Sequence, residues 1–332
     1  MSVVERTLGK TGIRVSPVAM GCWAIVGDAT WGPQDEREAV AAIHAALDAG
    51  VTFFDTAEGY GAGYSEQLLG KALRGRRDRA VIGSKVSPNH AGTYADLLHR
   101  CELSLANLGT DCIDVYHLHW PNRTVPVAEV LAGLVRLREA GKIRAVAVSN
   151  FGRQDLTDLL TCGRCEVNQL PYNLLWRAIE FEIAPLCRAH HISITCYCPI
   201  AQGLLSGKFR TAADVPDGRA RTRHFAGTRA QARHGEPGAE TLTFATLARI
   251  SELAAEAGLP MAQVALAWLL SRPGVASVLV GARNAAQMAA NAQAMHVRLS
   301  PALLTALDAA TEDLKVRFGT NPDMWQSSSR YR

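Results

Sequence analysis

No stretch of the 332-residue chain approaches the ~18 consecutive apolar residues of a membrane-spanning helix, because MAQVALAWLL at 261–270 is cut by Ser-Arg-Pro-Gly at 271–274. The opening MSVVERTLGKTGIRV carries charges where a secretory signal has an apolar stretch. These absences favour a cytoplasmic protein without a membrane partner. Charge of one sign is scarce as well. Lys plus Arg number 35 against 31 Asp plus Glu, for a net +4, and basic residues cluster only around 74–79 and 219–233. That excludes nucleic acid as the expected partner. Cys162 and Cys165 have no second Cys-x-x-Cys to complete a zinc ribbon, and His190-His191 lack metal-ligand spacing, so no metal is expected. The eight cysteines are read as free thiols. A Rossmann fingerprint is missing, since Tyr64 stands where Gly-x-Gly-x-x-Gly needs its last glycine, and Gly9-Lys10-Thr11 lacks the upstream glycine of a P-loop.

With 48% hydrophobic and 20% charged residues the chain can bury a large core, which excludes a disordered tail or a disulfide miniprotein. β-rich runs alternate with helical patterns nearly to the end: 16–22, 51–56, 80–86, 112–119, 143–149, 166–170, 192–198 and 276–281. Between them lie amphipathic stretches with recognisable ends. Asp35 and Glu38 are placed for a capping box, and Gly50 and Gly109 for helix stops. Eight strands with intervening helices predict a (β/α)₈ TIM barrel forming one domain over 1–332, with a doubly wound sheet as the alternative. Residues 1–15 contain a hairpin-like turn at Lys10-Thr11-Gly12 suited to covering the barrel bottom. Residues 203–240 form a long Gly-, Arg- and Pro-rich connection on the opposite face, where a long loop is read as functional.

In such a barrel, reactive side chains gather at the C-terminal ends of the strands. The second strand runs into FFDTAEGYG, the third ends GSKV and the fourth YHLHWP, so Asp55, Tyr60, Lys85 and His119 fall on one rim. Each has an ordinary structural use: a helix cap, a loop aromatic, a surface lysine, a hydrogen-bonded barrel histidine. Four of them at successive strand ends point to chemistry. A tyrosine with a pKa near 10 is a poor acid at neutral pH, and a nearby buried ammonium lowers that value. Lys85 is that ammonium, Asp55 keeps it charged, and His119 orients a carbonyl oxygen. The set gives a proton to a developing alkoxide and needs a hydride donor from outside.

FDTAEGYGAGYSEQLLGKAL, GSKV, DVYHLHWP, VSNF, NQLPYNLL, CYCPIAQGLLSGKF and VGARNAAQMAANAQA, in that order from about Val15 to Ala294, resemble the motifs of aldo-keto reductases. GLLSGKF and GARNAAQ are more similar to the bacterial and potassium-channel β-subunit-like branches than to the mammalian hydroxysteroid and aldose reductases. The resemblance implies a (β/α)₈ barrel, NADP(H) as cofactor, reduction of aldehydes or ketones, and the tetrad Asp55, Tyr60, Lys85 and His119. It implies that Ser149, Asn150 and Gln169 hold the nicotinamide carboxamide and that Tyr197 stacks on its ring, with Asp55 and the backbone at Gly21, Cys22 and Trp23 close by. Cys198, Pro199, Ile200 and Ala201 match a Ser-Pro-Leu-Ala segment with cysteine in place of serine. Lys208 and Arg221 match basic residues beside the phosphates; Gly281, Gln287 and Asn291 match the adenine-side motif. Two positions depart: Ala290 replaces a frequent glutamate, and Arg283 replaces a frequent serine, adding positive charge near a 2′-phosphate.

The other arginines, at 219, 223, 229 and 233, are expected in a solvated loop. Trp23, Tyr60, His119 and Trp120, with Trp31 and Trp176, are expected to wall a pocket for apolar or planar carbonyl compounds. Two functional readings follow: a reductase, monomeric or homo-oligomeric, or a cofactor-sensing interaction module like the channel β-subunits with slow residual chemistry. The complete tetrad favours the reductase.

Overall fold

The computed structural model describes residues 5–332. First come two short antiparallel strands, β1 (Arg6–Thr7) and β2 (Arg14–Val15), joined through the expected turn. This hairpin closes the bottom of the barrel. The Lys10 N–H donates to Glu166 Oε2 at 2.7 Å, the Gly9 N–H to Ser193 Oγ at 2.8 Å, and the Arg6 guanidinium to the carbonyls of Leu270 and Val275. Glycine is required at position 9, where φ is +51° and a Cβ would lie 2.4 Å from Glu166 Oε2.

Strands and helices then alternate: β3 (Val18–Gly21), α1 (Glu36–Asp48), β4 (Phe53–Asp55), α2 (Tyr64–Ala72), β5 (Val81–Val86), α3 (Tyr94–Leu108), β6 (Ile113–Leu118), α4 (Val127–Glu139), β7 (Ile143–Ser149), α5 (Arg153–Cys162), β8 (Val167–Pro171), α6 (Ile183–Ala189), β9 (Ser193–Tyr197), α7 (Glu240–Glu256), α8 (Met261–Leu270), β10 (Val275–Gly281), α9 (Ala285–Ala292), α10 (Pro301–Ala310) and α11 (Glu312–Phe318). All eight expected strand runs are present. β10 pairs with both β9 and β3, so the sheet closes into a parallel barrel and the doubly wound alternative is excluded. The first barrel strand starts at Val18 because Pro17 has no N–H for the ladder. Asp35 caps α1 through the N–H groups of Arg37 and Glu38; Glu38 makes no return bond, so the motif is an N-cap and not a capping box.

Side chains on each strand alternate between two cores, as parallel strands buried on both faces require. Ala19, Phe53, Val115, Ala145, Ala147, Val167 and Leu279 point into the barrel and meet Leu8, Ile13 and Val15 of the hairpin. Val18, Met20, Phe54, Tyr116, Val146, Val148, Val278 and Val280 point outward under the helices. Among the described residues no single helix is long and apolar enough to cross a membrane, and the apolar α8 is a core helix with Trp268 fully buried.

Candidate active site

The inward alternation carries the chemistry. Two residues beyond Phe53 is Asp55, two beyond Gly83 is Lys85, two and four beyond Val115 are His117 and His119, two beyond Ala147 is Ser149, and two beyond Val167 is Gln169. Each therefore stands on the inner face above the apolar layer, at the C-terminal mouth. Gly83 leaves space for this arrangement, because a Cβ there would come within 3.4 Å of Asp55 Oδ2.

Lys85 is fully buried, and its ammonium is satisfied from three sides: Asp55 Oδ1 at 2.5 Å, the Thr56 carbonyl at 2.6 Å and the Tyr60 hydroxyl at 3.4 Å. The other Asp55 oxygen accepts from Gln169 Nε2 at 2.8 Å. Burial by itself disfavours the ammonium, but Asp55 and Tyr60 outweigh it and hold Lys85 above its usual pKa. For Tyr60 the balance differs from the sequence expectation. Burial pushes the phenol above its usual value and Lys85 opposes this only in part, so the hydroxyl remains protonated at neutral pH. His119 is pushed down to about 3 by burial and by the neighbouring Lys85 charge, which makes it a neutral imidazole. Its ring meets Tyr60 edge-on at 5.9 Å, and Trp23 stacks against Tyr60 at 6.1 Å.

Tyr60 and His119 open into a cavity of about 680 Å³. Every site residue expected from the sequence lines it except Lys85, which lies behind Tyr60, Ala201, which is buried beneath the rim, and Trp176, which is buried elsewhere. Strain is concentrated here: of the six non-glycine residues with positive φ among the described residues, Asn150, Cys198 and Gln202 belong to this rim and Ala201 lies just beneath it. Ser149 Oγ donates to the Gln169 carbonyl and accepts from Asn150 Nδ2. Burial raises the Cys198 thiol to about 12, so it is un-ionised at neutral pH.

Several expectations are corrected. Trp176 is fully buried in the outer core, where its indole N–H reaches the Pro322 carbonyl, and it does not wall the cavity. The 203–240 connection is folded and not a solvated loop: Arg223 pairs with Glu236, Arg229 with Glu240, and Arg219, Arg221 and Arg233 face the cavity. Arg283 lines the cavity, as expected, with three of its five N–H donors taken up by protein acceptors. It donates to Gln34 Oε1 and to the carbonyls of Trp31 and Pro33, and so ties the 31–34 segment to the end of β10.

Sequence reading missed three contributors. Arg219 stands close to Lys208 and over the Trp31 ring at 5.6 Å. Gln202 is 6% exposed, and neither atom of its amide has a hydrogen-bond partner among the described residues. Beyond α11, residues 319–332 return over the mouth. Trp325 stacks on Tyr197 at 6.0 Å, Arg330 lies 3.8 Å above the Trp120 ring and pairs with Asp323, and Tyr331 sits edge-on to Trp120. A local signal existed only for Gln202, which directly follows the Cys-Pro-Ile-Ala segment.

Comparison with known proteins agrees with this geometry. The chain is 32% identical over 330 residues to the NADH-specific methylglyoxal reductase of Escherichia coli (strain K12), covering 93% of this chain and 98% of that one. It is 30% identical over 328 residues to a probable voltage-gated potassium channel subunit beta of Oryza sativa subsp. japonica, covering 92% and 96%. Its fold is similar to the crystal structure of an aldo/keto reductase from Klebsiella pneumoniae in complex with NADP and acetate, with a TM-score of 0.73, 31% identity, and coverage of 92% and 94%. The aldo/keto reductase family pattern matches residues 17–312, a span that holds the whole barrel and all four rim residues, and the chain belongs to that family.

Proposed function

We propose that the chain works as a single catalytic domain that reduces a small aldehyde or ketone with NADPH. The observation that carries this reading is the Lys85 ammonium, locked by Asp55 and set 3.4 Å behind a protonated Tyr60 at the floor of an aromatic cavity. The residues present fit a phosphorylated dinucleotide. Lys208, Arg219, Arg221 and Arg233 face the cavity without a carboxylate ion pair among the described residues, and the orphaned Gln202 amide points to a polar ligand. NADPH supplies the hydride when bound.

Tyr60 gives its proton to the carbonyl oxygen, and the neutral His119 donates a hydrogen bond that orients this oxygen. Lys85 stabilises the phenolate left behind, and Asp55 keeps Lys85 charged. By resemblance, Ser149, Asn150 and Gln169 hold the carboxamide, Tyr197 lies against the nicotinamide, and the Gly21–Trp23 backbone borders both nicotinamide and substrate. Cys198, Pro199, Ile200, Ala201, Lys208 and Arg221 follow the phosphates, with Gly281, Gln287 and Asn291 on the adenine side. Trp23 and Trp120 give the substrate apolar walls.

The likeness to a potassium channel subunit supports a second reading, a cofactor-sensing module with slow residual turnover. Loss of NADPH absorbance with a panel of aldehydes, methylglyoxal among them, separates the two. Steady turnover that disappears in Tyr60→Phe supports the reductase; cofactor binding without turnover supports the module.

A further inference from the structure

The turn that carries Tyr60 is pinned to the strand that carries Lys85. Residues 57–60 form a tight turn in which the Tyr60 N–H returns to the Ala57 carbonyl at 3.0 Å. Within it the Glu58 N–H donates to the Lys85 carbonyl at 3.3 Å, and Glu58 Oε1 accepts from the Ser87 N–H at 2.9 Å. Glu58 therefore grips the end of β5 on both sides of Val86, through its main chain and its carboxylate. That carboxylate is buried, and two further donors converge on it: His90 Nδ1 on Oε1 at 2.8 Å and Arg100 Nε on Oε2 at 2.6 Å. A carboxylate oxygen only accepts, so His90 Nδ1 carries a hydrogen.

The partners of Glu58 are themselves fixed. Arg100 belongs to α3, and the Pro88–His90 turn is held by Asn122 Nδ2, which donates to the carbonyls of Pro88 and Ala91 at 2.9 and 3.2 Å. A buried charge is costly unless it is paired and hydrogen-bonded, so the network holds Glu58 to one geometry. Glu58 does not line the cavity, and proton transfer from Tyr60 makes no use of it. What it does control is a separation on which the chemistry depends. Lys85 Nζ stands 3.4 Å from the Tyr60 hydroxyl, already long for a hydrogen bond, so a small outward movement of the turn breaks the contact. Lys85 is not free to follow, because Asp55 and the Thr56 carbonyl hold its ammonium.

We propose that Glu58 is a positioning residue for carbonyl reduction: by clamping the 57–60 turn to the end of β5, it sets the distance between the Tyr60 hydroxyl and the Lys85 ammonium. The proposal rests on the reductase reading above. Glu58 acts only through the acid and its lysine, and cofactor binding does not depend on it.

The test is single-turnover reduction of an aldehyde by the full chain preloaded with NADPH, followed by absorbance to completion, beside a nicotinamide fluorescence titration. Glu58→Gln keeps the shape of the side chain, but an amide has one acceptor oxygen with two lone pairs and cannot serve all three donors. The rate constant should fall about tenfold, equivalent to roughly 1.4 kcal/mol, with full amplitude and unchanged NADPH affinity. In a Lys85→Met background the same substitution should cost less than about twofold, because the relationship it sets is already gone. A merely structural role lowers the amplitude, or slows the step equally in both backgrounds. Arg100→Gln, which removes the donor to Oε2, should slow the step in the same direction, and it carries the comparison in both backgrounds if Glu58→Gln is poorly folded. An unchanged rate constant, a loss confined to amplitude, or equal losses with and without Lys85 overturns the proposal. Absence of any reduction by the unsubstituted protein overturns the reductase reading instead, so the two failures are distinguishable.

Discussion

The Lys85 ammonium stands 3.4 Å from the Tyr60 hydroxyl while its closest contact, at 2.5 Å, is Asp55. The lysine therefore belongs electrostatically to the aspartate, and the tyrosine shares only the remainder of its field. This explains why burial still prevails at the phenol and leaves it protonated. Loss of the phenol proton during reduction is the moment at which the ammonium matters most, because only then does Tyr60 carry a charge.

Replacing Tyr60 with phenylalanine should lower kcat by about 10² to 10⁴ and leave NADPH affinity nearly unchanged, as the proposed role of its hydroxyl as general acid requires. Steady-state kinetics together with a nicotinamide fluorescence titration measures both. A variant with near-normal kcat would remove Tyr60 from the mechanism.

Lys85→Met should be about as damaging as Tyr60→Phe, and Asp55→Asn milder, because Asp55 acts through Lys85. Combining the Tyr60 and Lys85 substitutions should cost little more than either alone, as expected of residues that act as one unit. Rate losses that multiply in the double variant would contradict the coupling.

The pH dependence follows from two directions. Tyr60 is raised, so it stays protonated up to and beyond the ordinary phenol value near 10; His119 is lowered to about 3, so it stays neutral above that pH. kcat for reduction should be flat from roughly pH 5 to 9, and the reverse oxidation, which needs the phenolate, should speed up as pH rises. An inflection in the reduction profile near pH 6.5 that vanishes in His119→Asn would show that the histidine ionises there.

Cofactor choice should depend on Lys208 and Arg219 more than on Arg283. The extra phosphate of NADPH calls for cations with free donors, and three of the five N–H donors of Arg283 already go to Gln34, Trp31 and Pro33. Charge-assisted hydrogen bonds are worth roughly 1.5–3 kcal/mol, so Lys208→Ala or Arg219→Ala should weaken NADPH about tenfold or more relative to NADH. Arg283→Ala should loosen the 31–34 segment and weaken both cofactors alike. Titrations with the two cofactors decide this, and equal affinities in the unsubstituted protein would contradict the NADPH assignment, a point given weight by the relative named as NADH-specific.

Much of the fold was legible because parallel barrel strands are apolar on both faces and stand out as runs such as IRAVAVS, with helix stops at Gly50 and Gly109 between them. The tetrad was legible because its members sit in short motifs at strand ends. Other features depended on distant partners. Nothing local distinguishes Arg223, paired with Glu236, from Arg221, which faces the cavity, because the tertiary fold chooses the partner. Trp176 and Trp23 are alike as letters, and only tertiary packing, for Trp176 against His224, Phe318 and Pro322, puts one in the core and leaves the other at the mouth. Tyr331 was illegible for the same reason: it meets Asn150 across 181 positions of chain.

The most direct test is to mix the purified protein with NADPH and a panel of aldehydes and follow nicotinamide absorbance beside the Tyr60→Phe variant at pH 7. The account predicts multiple turnovers with at least one aldehyde and loss of about two orders of magnitude or more in the variant. Tight NADPH binding with no turnover, or equal rates for the two proteins, would contradict it.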